Sequence, residues 1–326
     1  MGAPDGGNPV NDAKRDNTPR FDLDWGKYIA NSSRLCVFVG AGVSVGAKTS
    51  SGAHPPNWEG LIASLEDEFP FDGQESVERL GLRERAELVD QERRNRGISN
   101  REFLSYVESR VDLVDGEPVQ SGEVHNIIEY VGPSLIVTTN YDSLIERHMN
   151  LPTEPGYNVW TYPGRVEQLT GNTSCREDSS LGDFLRSGEP LILKIHGGVQ
   201  AFAEPEGEGD GVRDDSDYEI VFSDSSYYRA YGESSEIPSL LRAIFSTHQV
   251  IFIGFSLRDQ VLRDILQSVG ALRGSRFRHV VLQSPDGVVP EVYKEVFQET
   301  YGLVVGTYSS HKKLGASLHS VTLSRD

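Results

Sequence analysis

Two residues of this sequence, Asn140 and His196, have the type and the position of groups that act on a bound substrate. Asn140 follows the apolar segment Leu135–Thr138 in the sequence TTNYD, and His196 follows the apolar segment 191–195 in the sequence KIHGG. An imidazole can exchange protons with a hydroxyl or a water near neutral pH, and an amide can orient either of them. Each residue also has a structural interpretation, since asparagine often forms turns and caps, and a lone histidine is usually structural.

Two further motifs place glycine and small polar residues after apolar segments. The residues are Gly40, Ala41, Gly42 and Ser44 in the sequence VFVGAGVS, and Gly254 and Ser256 in the sequence IFIGFS. Glycines there let a backbone approach a pyrophosphate closely, and free N–H groups at the start of a following helix attract its negative charge. A tight turn without a ligand is the alternative. The third glycine of a dinucleotide fingerprint is replaced by Val45, which argues against an ordinary dehydrogenase.

The elements that position these motifs alternate between short apolar segments and longer helical ones. Strands are predicted at 35–39, 135–138, 191–195, 250–253, 279–282 and 303–307, with a further short one at 159–162. This alternation predicts an α/β fold with a Rossmann-like, doubly wound parallel sheet. The carboxyl ends of parallel strands lie at one edge of the sheet, so the four motifs should meet there. The helical stretch at 58–116 is too long for an ordinary crossover and predicts a helical subdomain inserted over this edge.

The remaining segments complete the domain organisation. Residues 1–30 lack an apolar pattern and are predicted to be a disordered lead, and residues 311–326 to be a C-terminal tail. Residues 31–310 are predicted to form a single domain. Within it, the segment 203–219 carries eight acidic residues against one arginine and predicts a flexible surface loop.

The net charge, the cysteine count and the lengths of the apolar runs limit what the protein is expected to bind and where it is expected to act. The 31 basic and 49 acidic side chains give a net charge of −18, which disfavours direct binding to nucleic acid. The two cysteines, Cys36 and Cys175, can form neither a disulfide framework nor a four-thiolate zinc site, and they fit a reducing cytoplasm. No apolar run reaches the length of about 18 residues that a transmembrane helix needs, so no membrane span is expected.

Together, the motifs GAGVS, TTNYD, KIHG and GFS resemble those of the sirtuin fold. The resemblance covers most of the chain and is closer to the sirtuin-like branch of bacterial NAD⁺-consuming antiphage-defence proteins. It implies NAD⁺ as substrate, with His196 acting on the nicotinamide ribose, Asn140 beside the bond that breaks, and Asp142 holding the carboxamide. It also implies that Gly40, Ala41, Gly42 and Ser44 line the pyrophosphate, and that Gly254 and Ser256 meet the adenosine side.

Two departures from the family's pattern favour hydrolysis over deacylation. Protein-deacylating sirtuins carry two Cys-x-x-Cys pairs that bind zinc, and this chain has neither, so no metal is expected. Residues 47–56, AKTSSGAHPP, lack the Pro-Asp-Phe-Arg segment of those enzymes. The resemblance therefore implies an NAD⁺ hydrolase that releases nicotinamide and ADP-ribose, in antiphage defence by NAD⁺ depletion. An NAD-dependent deacylase or ADP-ribosyltransferase, and a non-catalytic sensor of NAD⁺ or ADP-ribose, remain as alternatives.

The same resemblance leads to expectations about assembly. Relatives of this kind often act with a separate trigger, so we expect a homo-oligomer whose partner is a HerA-type ATPase, a short Argonaute or a phage protein. Because Asn140 and His196 are predicted at strand ends, replacing either residue by alanine is expected to leave the core undisturbed.

Overall fold

The computed structural model describes residues 34–73, 77, 79–150, 156–167, 181–199, 214–255, 257, 259–273, 279–283 and 294–307. The predicted lead at 1–30, the predicted tail at 311–326, most of the predicted acidic loop and the candidate residue Ser256 lie outside the described residues. Within the described ranges, no helix has the length and the apolar character needed to cross a membrane.

The strands form one large sheet and one small hairpin. They are β1 (Leu35–Val39), β2 (Leu113–Val114), β3 (Glu117–Pro118), β4 (Leu135–Thr138), β5 (Asn158–Thr161), β6 (Arg165–Glu167), β7 (Leu191–Lys194), β8 (Gln249–Ile253), β9 (His279–Gln283) and β10 (Leu303–Thr307). In the part of the chain that is described, the large sheet has the order β10-β9-β8-β1-β4-β7-β5-β6. Its strands are parallel except for β6, which is antiparallel to β5. The predicted Rossmann-like, doubly wound sheet is confirmed.

The helices lie between these strands. They are α1 (Trp58–Glu68), α2 (Leu82–Asn95), α3 (Asn100–Val111), α4 (Glu123–Val131), α5 (Leu144–Met149), α6 (Leu181–Ser187), α7 (Asp224–Tyr231), α8 (Ile237–Thr247), α9 (Gln260–Arg273) and α10 (Lys294–Tyr301), with short 3-10 helices at Ala41–Gly46 and Asp215–Tyr218.

Strand β1 shows why the sheet needs a helical layer on each face. Cys36 and Phe38 pack into a cluster that contains the apolar faces of α8 and α9. Val37 and Val39 pack on the other face against α4 and α5. Because successive side chains of a strand point to opposite faces, a strand that is apolar at every position is stable only when both faces are covered.

The strand order places the switch point of the sheet at β1. From β1 the chain proceeds to β4 and β7 on one side, and it later returns to β8 on the other side. Val39 is paired with Thr138 of β4 and with Ile253 of β8, and Thr138 is paired with Lys194 of β7. The four strands therefore end at the same level, and the loops that follow them meet at one edge, as the sequence predicts. In open α/β sheets, ligands bind in the crevice at such a switch point.

The inserted helical subdomain is present as α1, α2 and α3, followed by the β2–β3 hairpin. Its apolar side chains share one cluster with Tyr141 and Phe222, which lie in loops at the carboxyl edge. Asp112, at the end of α3, accepts hydrogen bonds from the Ser143 N–H at 3.1 Å and from the Ser143 hydroxyl at 2.6 Å. The insertion is thus packed on the ligand edge and anchors the start of α5.

Some elements differ from those expected from the sequence. The helices α6 and α7 were not predicted from the sequence. The end of the predicted acidic loop contains the 3-10 helix Asp215–Tyr218. The Asp215 carboxylate accepts hydrogen bonds from the N–H groups of Asn100 at 2.9 Å and Arg101 at 3.1 Å. The acidic side chain satisfies free amides at the start of α3, a contact between segments far apart in sequence.

Candidate active site

Ser44, Asn140 and Asp142 come together at the carboxyl edge, and we call these residues the polar triad. The Asn140 side chain donates from Nδ2 to Ser44 Oγ at 3.2 Å, and the Ser44 hydroxyl donates to Asp142 Oδ2 at 2.8 Å. Asp142 Oδ1 accepts from the N–H of Leu144, the first residue of α5, at 3.2 Å. Hydrogen bonds therefore join the loop after β1 to the loop after β4 and fix the orientation of both polar side chains.

Asn140 has one buried polar atom without a partner. The residue is 6% exposed, yet its Oδ1 has no hydrogen-bond partner among the described residues. A buried carbonyl oxygen left unsatisfied costs about 1–3 kcal/mol. The atom is therefore suited to accept a hydrogen bond from a bound hydroxyl or water, which would remove this cost.

The loop after β1 is joined to the end of β8 by its backbone. The N–H of Gly40 donates to Ile253 O at 3.0 Å, and the N–H of Gly42 donates to Gly254 O at 2.9 Å. A Cβ on Gly42 would lie 2.7 Å from Gly254 Cα, so a side chain there requires the backbone to move. These two N–H groups are therefore not available to a phosphate, because the carbonyl oxygens of Ile253 and Gly254 already accept from them. The glycines permit the close approach of two loops at the switch point.

The other residues predicted to meet NAD⁺ lie around the same crevice, with one exception. Ala41 is exposed at the start of the 3-10 helix, and Ser44 belongs to the polar triad. Gly254 follows β8 and packs against Gly42. Ser256 lies outside the described residues. The contact of these residues with NAD⁺ stays a prediction.

His196 follows β7 and lies in an aromatic pocket, where it is 4% exposed. Its Nε2 is 2.7 Å from the hydroxyl oxygen of Tyr231, and the ring of Tyr227 meets the imidazole edge-on with 5.2 Å between the centroids. Burial lowers the pKa of His196 to about 3, so the imidazole is neutral at physiological pH. Among the described residues, no hydrogen bond joins His196 to the polar triad.

The burial of Asn140 and His196 bears on the expectation that alanine at either position leaves the core undisturbed. Both residues follow strands as predicted, but they are enclosed and hydrogen-bonded to Ser44 and Tyr231, respectively. Alanine at position 140 would remove the hydrogen bond to Ser44, and alanine at position 196 would remove the partner of the Tyr231 hydroxyl, each at a cost of about 0.5–1.5 kcal/mol. The expectation that alanine leaves the core undisturbed stays a prediction, which a measurement of the stability of each variant tests.

Tyr227 and Tyr231 contact the candidate residue His196, and neither was predicted from the sequence. They lie one turn apart on α7 and stack on each other with 5.7 Å between ring centroids and an interplanar angle of 18°. The sequence SDSSYYRAYG contains a usable signal: Ser223 caps the helix, its hydroxyl accepting from the Ser226 N–H at 3.3 Å. The i, i+4 spacing then places the two aromatic rings on one face of a helix.

Of the two cysteines, the structure describes Cys36 alone. Cys36 is buried in β1, and burial raises the pKa of its thiol far above the ordinary range, while Cys175 lies outside the described residues. Within the described ranges, no group of three His, Cys, Asp or Glu side chains is placed to hold a metal ion. The expectation that the protein needs no metal stays a prediction.

The switch-point crevice and the polar triad define a Rossmann-like α/β protein with a polar site at the ligand edge of its sheet. A match to the SIR2-like domain covers residues 134–305, more than half of the 326 residues. The chain therefore belongs to the SIR2-like domain family.

Individual relatives are distant. The NAD(+) hydrolase ThsA of Cytobacillus dafuensis is 23% identical over 250 residues, which cover 76% of this chain and 40% of ThsA. The chain thus matches less than half of that relative's length. A solved structure of a Sir2 enzyme has a TM-score of 0.43 at 12% identity, covering 93% of this chain and 97% of that chain. A Sir2 structure with a deacetylated p53 peptide and 3′-O-acetyl ADP-ribose has a TM-score of 0.40 at 12% identity, covering 91% and 96%.

Proposed function

We propose that this chain is an NAD⁺ hydrolase that breaks the bond between nicotinamide and ribose. The observation that carries the proposal is the polar triad, in which a buried asparagine with an unsatisfied carbonyl oxygen is held in place beside the switch point. Membership of the SIR2-like family and the similarity to a protein named as an NAD(+) hydrolase support the same reaction.

In this reaction the water oxygen bonds to C1′ of the ribose and the C1′–N bond breaks. The electron pair of that bond goes to nicotinamide, and one proton is released. Since the leaving group is cationic, the transition state has oxocarbenium character, and the protein needs mainly to hold the substrate and exclude bulk water. Asn140 Oδ1 would accept a hydrogen bond from the water or a ribose hydroxyl. The Asp142 carboxylate retains further lone pairs and would accept the carboxamide N–H.

His196 would act on the ribose hydroxyls as a neutral group. Its pKa of about 3 means that the imidazole is available to accept a hydrogen bond but holds a transferred proton weakly. The Tyr231 hydroxyl, at hydrogen-bond distance from Nε2, fixes the orientation of the ring. We therefore assign His196 to orienting the ribose and Tyr231 to positioning His196.

The rest of NAD⁺ would follow the crevice between β1 and β8. The pyrophosphate is assigned to Gly40, Ala41, Gly42 and Ser44, and the adenosine side to Gly254 and Ser256. Because the N–H groups of Gly40 and Gly42 are already bonded, these residues would contribute shape rather than donors. The exposed Ala41 is then the residue of this loop best placed to meet a phosphate.

The biological setting we propose is antiphage defence in the cytoplasm by depletion of NAD⁺. The enzyme would act as a homo-oligomer or with a separate trigger, namely a HerA-type ATPase, a short Argonaute or a phage protein. The 4% exposure of His196 supports a resting state that has to open before a ribose reaches the imidazole. Because the match covers 40% of ThsA, only the hydrolytic reaction is carried over from that relative.

The test is the release of nicotinamide. The purified chain, alone and with a cognate partner, is incubated with NAD⁺, and the products are separated by chromatography. We expect nicotinamide and ADP-ribose without any acyl peptide. Strict dependence on an acetyl-lysine peptide would instead indicate a deacylase or transferase, and binding of NAD⁺ without release would indicate a sensor. Either result refutes the hydrolase.

Two variants locate the chemistry. Asn140→Ala and His196→Ala should each lower turnover by about 10²-fold or more, while NAD⁺ binding measured by calorimetry falls much less. Asn126→Ala, at an exposed position of α4, is the matched control and should keep wild-type turnover. Urea unfolding of each variant separates lost chemistry from lost folding. Near-wild-type turnover in both folded variants would place the active site elsewhere.

A further inference from the structure

Lys194 and Glu146 form a buried ion pair that contacts the main chain of Asp142, a member of the polar triad. Lys194 is the last residue of β7, two positions before His196, and Glu146 lies on α5, four positions after Asp142. Each side chain is 1% exposed, and Lys194 Nζ contacts Glu146 Oε1. The same Nζ donates a hydrogen bond to the main-chain oxygen of Asp142 at 2.5 Å. A single ammonium group therefore ties the strand that carries His196 to the loop that carries the polar triad.

The Lys194 side chain passes close to Gly198, in the loop after β7. A Cβ on Gly198 would lie 2.9 Å from Lys194 Cε and 2.6 Å from Tyr141 O. The N–H of Val199 donates to the same Tyr141 oxygen at 2.8 Å. This hydrogen bond joins the loop after β7 to the loop after β4. The absence of a side chain at Gly198 leaves the space that Lys194 needs to reach Asp142.

Packing alone does not account for this pair. Removing an ammonium and a carboxylate from water is costly, and apolar residues of similar volume often fill such a space at equal or better stability. The cost is visible at Glu146, where burial raises the pKa of the carboxyl to about 7 although Lys194 opposes the shift. Apolar residues at positions 194 and 146 could not donate a hydrogen bond to the Asp142 carbonyl, as Lys194 does.

We propose that Lys194, held in place by Glu146, is a positioning residue that fixes the main chain at Asp142 and thereby the geometry of the polar triad. The effect on catalysis rests on the proposed NAD⁺ hydrolysis, whereas the effect on the loop does not. Without the hydrogen bond to Asp142, the loop can shift relative to β7, and Asn140 Oδ1 loses its fixed position. Small displacements of positioning groups reduce turnover more than binding.

The test uses the double variant Lys194→Met/Glu146→Leu, which removes both charges at once and leaves no buried charge unpaired. The matched control is Arg85→Met/Glu66→Leu, which removes a largely buried ion pair between α2 and α1, within the inserted subdomain. Glu146→Gln is the third variant, because it removes the carboxylate but retains the Lys194 donor to Asp142. Each protein is measured by urea unfolding, by amide hydrogen exchange across residues 139–144, and by nicotinamide release.

We expect Lys194→Met/Glu146→Leu to unfold near the wild-type urea concentration, to exchange these amides about 10-fold faster, and to lose about 10-fold in kcat with KM within about 2-fold. The Arg85→Met/Glu66→Leu control should keep wild-type exchange and kcat. Glu146→Gln leaves the ammonium without its carboxylate and should unfold at a lower urea concentration. Because Lys194 still donates to Asp142, the folded Glu146→Gln protein should keep exchange of residues 139–144 and kcat within about 3-fold of wild type. If Lys194→Met/Glu146→Leu does not fold, Lys194→Met/Glu146→Gln replaces it, with the same expected changes in exchange and kcat.

The proposal is overturned if Lys194→Met/Glu146→Leu exchanges the amides of residues 139–144 at the wild-type rate. It is also overturned if this variant exchanges them faster but keeps the wild-type kcat. Equal losses in the Arg85→Met/Glu66→Leu control overturn it as well, since the effect would then be one of general stability. If the wild type releases no nicotinamide, the proposed hydrolysis fails separately, and the exchange of residues 139–144 decides on the positioning of the loop.

Discussion

Lowering the pH from 7 to 5 should destabilise the protein through His196, and the size of the effect follows from its burial. The pKa of His196 is about 3 in the folded chain, against an ordinary value of 6.5. Between these values the unfolded chain binds a proton and the folded chain does not. The free energy of unfolding therefore falls as the pH falls below 6.5. Between pH 7 and pH 5, this residue alone should remove about 2 kcal/mol of stability.

Other buried groups also titrate in this pH range. The prediction therefore concerns the difference in lost stability between the wild type and a variant without the imidazole. Burial raises the pKa of Glu146 to about 7, and this has the opposite sign, because the folded chain then binds the proton more tightly than the unfolded chain. Burial also raises the pKa of Asp259, which lies near Tyr227 in the pocket of His196. The variant His196→Gln keeps all these groups and removes only the imidazole.

The assay is urea unfolding at pH 7 and at pH 5, monitored by circular dichroism. Wild type should lose about 2 kcal/mol more than His196→Gln over this interval. His125→Gln is the matched comparison, because His125 is buried in α4, outside the proposed site, with its pKa lowered to about 4. It should lose about 2 kcal/mol less than wild type as well. Equal losses in wild type and His196→Gln would refute the burial of His196 and its assignment as a neutral group.

Three further predictions test the site. Tyr231→Phe removes the hydroxyl next to His196 Nε2 and should lower turnover about 3- to 10-fold at unchanged NAD⁺ affinity, since one hydrogen bond contributes about 0.5–1.5 kcal/mol. Wild-type kcat would show that Tyr231 does not orient the imidazole. In thermal unfolding, Gly42→Ala should destabilise by about 1–3 kcal/mol, because its Cβ meets Gly254. Gly46→Ala, whose Cβ meets nothing within 4 Å, should be neutral, and equal shifts would contradict this packing. Excess EDTA should change neither Tm nor nicotinamide release; stoichiometric zinc in elemental analysis would overturn this expectation.

The sheet and the meeting of the four motifs were predictable because the information is local. A parallel strand buried on both faces is a short apolar run, and the bounds of β1, β4 and β10 are those read from the sequence. The edge at which Asn140 and His196 lie follows from the parallel order alone. The helices α6 and α7 were missed because they have only seven and eight residues, which is too short for a helical repeat of apolar residues to stand out.

From the sequence alone, the chain was already a doubly wound α/β protein whose glycine, asparagine and histidine motifs face a common crevice. Tertiary structure alone decided how these groups act on one another. Ser44 and Asp142 are 98 positions apart in the sequence, and His196 and Tyr231 are 35 positions apart. The pattern of residues within one segment cannot predict a hydrogen bond between two distant segments. Burial, which makes His196 neutral and leaves Asn140 Oδ1 unsatisfied, depends on which elements pack over a residue rather than on its type.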